Sequence, residues 1–131
     1  MGVKNESYLV FLVEDDKFYL ELLESYFSVK KNIKTVRFLT GEDCLNNLHL
    51  NPDLVLLDYM LDKHNPEALD GKLVYKKIKE ITPDARIIVV SAQQSADVVF
   101  NLVKEGVRNY IMKDSETFDQ LDQLLEDYNF I

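Results

Sequence analysis

Carboxylates, a hydroxyl and an ammonium group each stand at the end of an apolar segment of this chain. Glu14 and Asp15 follow one such segment, Asp58 ends a second, Ser91 follows a third and Lys113 follows a fourth. Three carboxylates near one ammonium leave an excess of negative charge, and oxygen ligands of this kind favour Mg²⁺. A metal-bound carboxylate beside a hydroxyl and a lysine could attack phosphorus and accept a phosphoryl group. This chemistry requires a fold that brings the segment ends together.

The apolar segments are predicted to be buried strands. Leu54 to Leu57 is an unbroken aliphatic run, whereas a strand with one exposed face would alternate apolar and polar residues. Predicted strands cover 8–13, 34–39, 53–58, 86–90 and 107–112. Predicted helices run from Lys17 to Lys30, from the cap Thr40 to Leu50, from Gly71 to Pro83, from the cap Ser95 to Gly106 and from the cap Ser115 through Tyr128.

Strands that alternate with helices predict an α/β fold, with one parallel sheet, right-handed crossovers and helices on both faces. The carboxyl ends of parallel strands lie at one edge of the sheet, where the loops diverge and ligands bind. If the strands concerned are neighbours, the five polar residues share one crevice. The alternation does not determine the strand order.

Composition limits the class of protein. A chain of 131 residues is long enough for one well-buried core, and we expect a single domain. Its 15 basic and 23 acidic residues give a net charge of −8, which disfavours direct binding to nucleic acid or to an anionic membrane. The single cysteine, Cys44, cannot form an intramolecular disulfide, and no apolar run approaches the roughly 18 residues of a membrane span. We therefore expect a cytoplasmic protein.

Five short motifs occur in order along the chain: Leu12 to Asp16, Pro52 to Leu61, Asp70-Gly71, Ile88 to Ala92 and Gly106 to Lys113. Together they resemble the receiver domain of two-component response regulators, over essentially the whole chain. The resemblance implies a flavodoxin-like, doubly wound sheet of order 2-1-3-4-5. It also implies that Asp58 is the phosphoacceptor, that Glu14, Asp15, Asp58 and the backbone carbonyl of Met60 hold Mg²⁺, and that Ser91 and Lys113 contact the phosphoryl group.

The same resemblance implies a signalling switch rather than an enzyme with an external substrate. A histidine kinase or phosphotransfer protein would supply the phosphoryl group, and the chain would catalyse at most its own phosphorylation and slow dephosphorylation. Ser91 would then move toward the phosphoryl group, and Tyr110 would turn inward. This change would reshape the surface of the fourth helix, fifth strand and fifth helix for an unknown output partner or effector domain. Read without the family, Tyr110 is simply a packed sheet aromatic.

The sequence departs from the family pattern at three places. The loop 59–69 is several residues longer than usual, and Asp62 stands where the family commonly has proline. Asp114 replaces the proline that usually follows the lysine, which removes the basis for expecting a cis peptide there. Met60 and Gln93 flank the crevice and, by analogy with the family, tune the lifetime of the phosphorylated state.

Three other functions compete with a working receiver domain. A phosphatase of the haloacid dehalogenase type needs a second acid two residues after the nucleophile, where this chain has Met60. A flavodoxin-like cofactor binder needs a phosphate loop after the first strand, where Glu14 and Asp15 would repel a phosphate. A receiver-like interaction module that is never phosphorylated is the main alternative. We expect 1–131 to be one receiver domain, either acting alone or excised from a longer response regulator or hybrid kinase.

Overall fold

In the computed structural model, the described residues, 7–61, 69–92 and 96–131, form a parallel sheet with helices on both faces. The strands are β1 (Tyr8–Val13), β2 (Ile33–Phe38), β3 (Leu54–Asp58), β4 (Arg86–Ser91) and β5 (Tyr110–Met112). The helices are α1 (Lys17–Ser28), α2 (Gly41–Leu45), α3 (Gly71–Ile81), α4 (Ala96–Lys104) and α5 (Thr117–Asp127), with a 3₁₀ turn at Leu48–Leu50. The strand order is β2-β1-β3-β4-β5, which confirms the order implied by the family.

The two faces of the sheet are covered by different helices, because successive residues of a strand point to opposite faces. Val10, Leu12, Leu54 and Leu56 pack with apolar residues of α1 and α5. The alternate strand residues, Phe11, Val13, Val55 and Leu57, pack with apolar residues of α2, α3 and α4. Both sets are almost completely buried, so the prediction of strands covered on both faces is confirmed.

Strand register determines which residues meet at the carboxyl edge. Val13 at the end of β1 lies opposite Leu57, so Glu14, which follows β1, and Asp58, the last residue of β3, lie at the same level. Asp58 in turn lies opposite Val90, and Ser91 lies opposite Met112. The carboxyl ends of β1, β3, β4 and β5 are therefore adjacent.

The predicted helix from Thr40 to Leu50 is wrong beyond Leu45. Thr40 caps α2 as predicted, since its hydroxyl accepts a hydrogen bond from the Asp43 N–H at 3.2 Å. The side-chain amide of Asn47 then donates to the Asp43 carbonyl at 2.7 Å, in place of the backbone N–H that would bond there in a continuing helix. Asparagine favours such local bonds over helix, and the chain turns at this point.

The fifth strand begins at Tyr110 instead of Val107, because the residues before it complete the end of α4. Gly106 has φ +85° and donates to the Val103 carbonyl, while the Val107 N–H donates to the Leu102 carbonyl. These two bonds are those of a Schellman motif, which uses Gly106 and Val107 as the residues after the helix. The predicted glycine cap of α4 is confirmed.

Side-chain bonds join α3 to the end of α4. Lys72 and Lys76 lie 3.4 and 3.3 Å from the two carboxylate oxygens of Glu105, and the Tyr75 hydroxyl donates to the Gly106 carbonyl at 3.3 Å. Two of the lysines on α3 thus form ion pairs within the chain.

Several predictions fall outside the described residues. These concern the tip of the 59–69 loop, including Asp62, together with Gln93 and the helix cap Ser95. Among the helices of the described ranges, none combines the length and the apolar character needed to cross a membrane.

Candidate functional site

Three carboxylates converge at the carboxyl edge of the sheet. One oxygen from each of Glu14, Asp15 and Asp58 lies within 4.8 Å of the others. Glu14 is 1% exposed and Asp58 is 5% exposed, so two of the three carboxyl groups are withdrawn from water. The structure therefore brings together the acidic residues that the sequence predicted as one cluster.

Lys113, the residue after β5, completes this cluster. Its Nζ lies 2.6 Å from Glu14 Oε1 and 3.7 Å from Asp58 Oδ1. The Lys113 N–H donates to the Ser91 carbonyl at 2.9 Å, so the end of β4 fixes the backbone from which the side chain extends. One ammonium faces three carboxylates, as predicted.

Burial changes the acidity of these groups. The pKa of Glu14 rises from 4.5 to about 8, chiefly because burial penalises the carboxylate and further because Asp58 is close, while Lys113 opposes the rise. Burial disfavours the Lys113 ammonium, but Asp58 and Glu14 outweigh this effect and the pKa of Lys113 is raised. The cluster thus retains a proton that a cation could replace, and its all-oxygen ligands fit Mg²⁺.

The position of Asp58 is fixed by the backbone around it. The Met60 N–H donates to Asp58 Oδ1 at 3.1 Å, and the Tyr59 N–H donates to the Val90 carbonyl. Gly71 packs against this turn so closely that a Cβ there would lie 2.4 Å from the Tyr59 carbonyl oxygen. Met60 is therefore beside the proposed acceptor, with its backbone bonded to the carboxylate.

Ser91 and Tyr110 are linked to each other. Ser91 is fully buried at the end of β4, and Tyr110 begins the neighbouring strand β5. Burial raises the pKa of Tyr110, and a hydrogen bond with the Ser91 side chain partly opposes that rise. A movement of the Ser91 side chain would therefore change the contacts of the Tyr110 side chain.

Two residues at the site were missed by the sequence predictions. Tyr19, assigned to the apolar stripe of α1, places its ring 4.4 Å from Lys113 Nζ. Thr117, to which no role was assigned, is 1% exposed and bonds to the backbone around Lys113. The Tyr19 contact leaves no local signal in the sequence, since Tyr19 and Lys113 are far apart in the chain, whereas Thr117 is close in sequence to the backbone groups that it bonds.

Comparison with known proteins assigns the family. The family model of the response regulator receiver domain matches residues 10–126, and the chain belongs to this family. The chain is 25% identical over 122 residues to response regulator protein VraR from Staphylococcus saprophyticus, an alignment that covers 92% of this chain and 56% of that protein. It is 35% identical over 108 residues to transcriptional regulatory protein CssR from Bacillus subtilis, covering 82% of this chain and 45% of that protein.

Solved structures show the same fold. A CheY-like response regulator receiver domain protein from Methanospirillum hungatei superposes with a TM-score of 0.77 at 20% identity, covering 95% of each chain. The chain spans about half the length of the curated relatives described above. The family assignment favours the receiver interpretation over the phosphatase and flavin-binding alternatives.

Proposed function

We propose that this receiver domain is a phosphorylation-dependent switch with Asp58 as the phosphoacceptor. The observation that supports the proposal best is the convergence of Glu14, Asp15, Asp58 and Lys113 at one edge of the sheet. A histidine kinase or phosphotransfer protein supplies the phosphoryl group, and the reaction takes place in the cytoplasm. An interaction module that is never phosphorylated would not require three carboxyl groups and an ammonium at one edge of the sheet.

In the proposed reaction an oxygen of the Asp58 carboxylate attacks the phosphorus of the donor. A P–O bond forms, the P–N bond of the donor phosphohistidine breaks, and its electron pair returns to the imidazole nitrogen. Glu14, Asp15, Asp58 and the Met60 carbonyl would hold Mg²⁺, which when bound neutralises charge on the phosphoryl oxygens. Lys113, 3.7 Å from Asp58 Oδ1, supplies a further positive charge to the same oxygens.

Ser91 and Tyr110 carry the change away from Asp58 in this proposal. Ser91 donates a hydrogen bond to a phosphoryl oxygen, and its link to Tyr110 transmits the movement to β5. The surface of α4, β5 and α5 then changes for an output partner or effector domain. Exposed apolar residues on α4, Phe100 at 67% and Val103 at 68%, suit such a protein contact.

Mass spectrometry tests this function. Incubation with acetyl phosphate and Mg²⁺ should add one phosphoryl group to the wild type and none to Asp58→Asn, which keeps the size of the side chain but lacks the attacking carboxylate. Chelation of Mg²⁺ should abolish the gain. Unmodified wild-type protein under conditions that phosphorylate another receiver domain would contradict the proposal.

A further inference from the structure

We propose that Thr117 and Tyr19 position the Lys113 ammonium at the phosphoryl site, in place of the proline that this chain lacks after the lysine. The proposal rests on the function proposed above, because it assigns Lys113 to the phosphoryl group. Neither residue touches the reacting atoms in this scheme. Both act through Lys113 and are therefore positioning residues.

Thr117 bridges the backbone on either side of Lys113. Its Oγ1 accepts a hydrogen bond from the Asp114 N–H at 2.8 Å. The same hydroxyl donates to the Met112 carbonyl at 2.7 Å, with the Asp114 carbonyl at 3.0 Å as a second acceptor for its one hydrogen. Because Thr117 is 1% exposed, water does not compete for these bonds. One buried hydroxyl thus fixes the turn from which the lysine side chain extends.

Tyr19 fixes the other end of the lysine. Lys113 Nζ lies 4.4 Å from the centre of the Tyr19 ring, within the range of a cation–π interaction. The Tyr19 backbone N–H donates to Asp16 Oδ1 at 3.3 Å, which fixes the first turn of α1 beside the segment that carries Glu14 and Asp15. Thr117 and Tyr19 therefore contact Lys113 at its two ends, the first through the backbone on either side and the second through the ammonium.

The lysine needs this support because its ammonium lies closer to the carboxyl group of Glu14 than to that of Asp58. Nζ is already 2.6 Å from Glu14 and 3.7 Å from Asp58. A lysine side chain has four rotatable bonds, and Asp114 gives its backbone none of the rigidity of a proline ring. The peptide bonds of the described residues are all trans. The Thr117 bridge and the Tyr19 ring are what hold the ammonium within reach of Asp58.

NMR of the Lys113 side chain tests the positioning without any phosphorylation. The Hε resonances, identified by their loss in Lys113→Arg, should be shifted upfield in the wild type by the ring current of Tyr19. Thr117→Val, which keeps the shape but removes the hydroxyl, should move them toward random-coil values. Thr117→Ser and Tyr19→Phe should preserve the shift. Random-coil Hε shifts in the wild type, or unchanged shifts in Thr117→Val, would overturn the proposal.

Phosphorylation kinetics give a second readout. At saturating Mg²⁺, Thr117→Val should react with acetyl phosphate about tenfold more slowly, since a displaced charge stabilises the transition state poorly. Thr117→Ser should recover the rate to within about threefold. The apparent Mg²⁺ affinity of Thr117→Val should not fall, because the carboxylates are untouched and the ammonium that repels the metal has moved away. If Thr117 only stabilised the fold, Thr117→Val would lower the phosphorylation rate and the apparent Mg²⁺ affinity together, in proportion to the folded fraction. That result would refute a positioning role for Thr117.

Controls separate the possible failures. Thr35→Val, the same substitution at the middle of β2 opposite Val10, should leave both readouts unchanged. If circular dichroism shows that Thr117→Val does not fold, the comparison of Tyr19→Leu with Tyr19→Phe takes its place, because only Tyr19→Leu removes the ring. Slower phosphorylation in Tyr19→Leu alone would support the proposal. Equal rates in the two variants would reject it. A wild type that is never phosphorylated would remove the proposed function, while the NMR result would still decide whether Lys113 is held.

Discussion

Glu14 is a carboxylic acid whose ionisation the fold changes strongly. Burial and the neighbouring Asp58 raise its pKa from 4.5 to about 8, even though Lys113 Nζ lies 2.6 Å away. Between these two pH values the unfolded chain has lost the Glu14 proton and the folded chain retains it. The folded state then binds more protons, so its stability must fall as the pH rises through this window.

We predict that chelated protein loses stability from pH 5 to pH 8, by about 1–3 kcal/mol attributable to Glu14. The loss arises because ionising this buried carboxyl beside Asp15 and Asp58 is unfavourable in the folded state. Urea denaturation in the presence of a chelator across this range measures it. Glu14→Gln, which has no proton to lose, should show a flatter profile. A slope equal to that of the wild type would assign the effect to other groups.

The same proton predicts how Mg²⁺ binding depends on pH. Because the metal requires an ionised carboxylate, binding near pH 7 should release about one proton, and affinity should increase toward pH 8. Calorimetry in two buffers of different ionisation enthalpy measures the number released. Glu14→Gln should release fewer protons, and proton release that persists undiminished in this variant would contradict the assignment to Glu14.

At the scale of elements, the junction between β3 and α3 holds the acceptor in place through a close approach of two backbones. The Gly71 N–H donates to the Tyr59 carbonyl at 3.2 Å, and a Cβ at Gly71 would lie 2.4 Å from that oxygen and 2.6 Å from the Asp58 carbonyl oxygen. Both contacts of this Cβ are with backbone oxygens, which cannot change position by rotating about a side-chain bond.

We predict that Gly71→Ala destabilises the protein by about 2–3 kcal/mol and slows phosphorylation, because the turn after Asp58 must shift to admit the methyl group. Denaturant unfolding and the acetyl phosphate reaction measure the two effects. Gly106→Ala is the matched control: φ is +85° and nothing lies within 4 Å of its added Cβ. It should cost about 1 kcal/mol through backbone strain alone. Equal effects on phosphorylation in both variants would argue against a specific role for the Gly71 contact.

The strands could be predicted because burial on both faces leaves an unbroken apolar run in the sequence. Leu54 to Leu57 is such a run, and the rule that parallel strands end at one edge then places Asp58 beside Glu14 and Asp15. The order of the strands was not contained in the alternation of elements. It came from the family resemblance, which the structure confirms.

Side-chain competition with the backbone could not be predicted from the same patterns. Asn47 ends α2 early by bonding to the Asp43 carbonyl. Ser115 was predicted to cap the last helix, but Glu116 occupies that position without a side-chain cap bond, and the hydroxyl that matters locally is that of Thr117. Tyr19 was correctly placed on the apolar face of α1, yet its contact with Lys113 depends on how α1 and β5 are brought together.

At the scale of the whole molecule, the acidic balance determines which partners the chain contacts directly. The net charge of −8 repels a phosphate backbone. We predict that the isolated chain shows no measurable affinity for random duplex DNA even at low salt, where electrostatic binding is strongest. Fluorescence anisotropy with labelled DNA measures this, with a basic DNA-binding protein as the positive control. Salt-sensitive binding by this chain would show that a local basic surface outweighs its overall charge.

If the surface of α4, β5 and α5 rearranges as proposed, the bonds between α3 and the end of α4 would set the axis of the movement. Glu105 is held by Lys72 and Lys76, and the Gly106 carbonyl accepts the Tyr75 hydroxyl, so the carboxyl end of α4 is fastened to its neighbour. With its carboxyl end anchored, α4 would rotate about that end and would not translate along its axis. The largest displacement would then occur near Ala96, leaving the Glu105 end as the pivot.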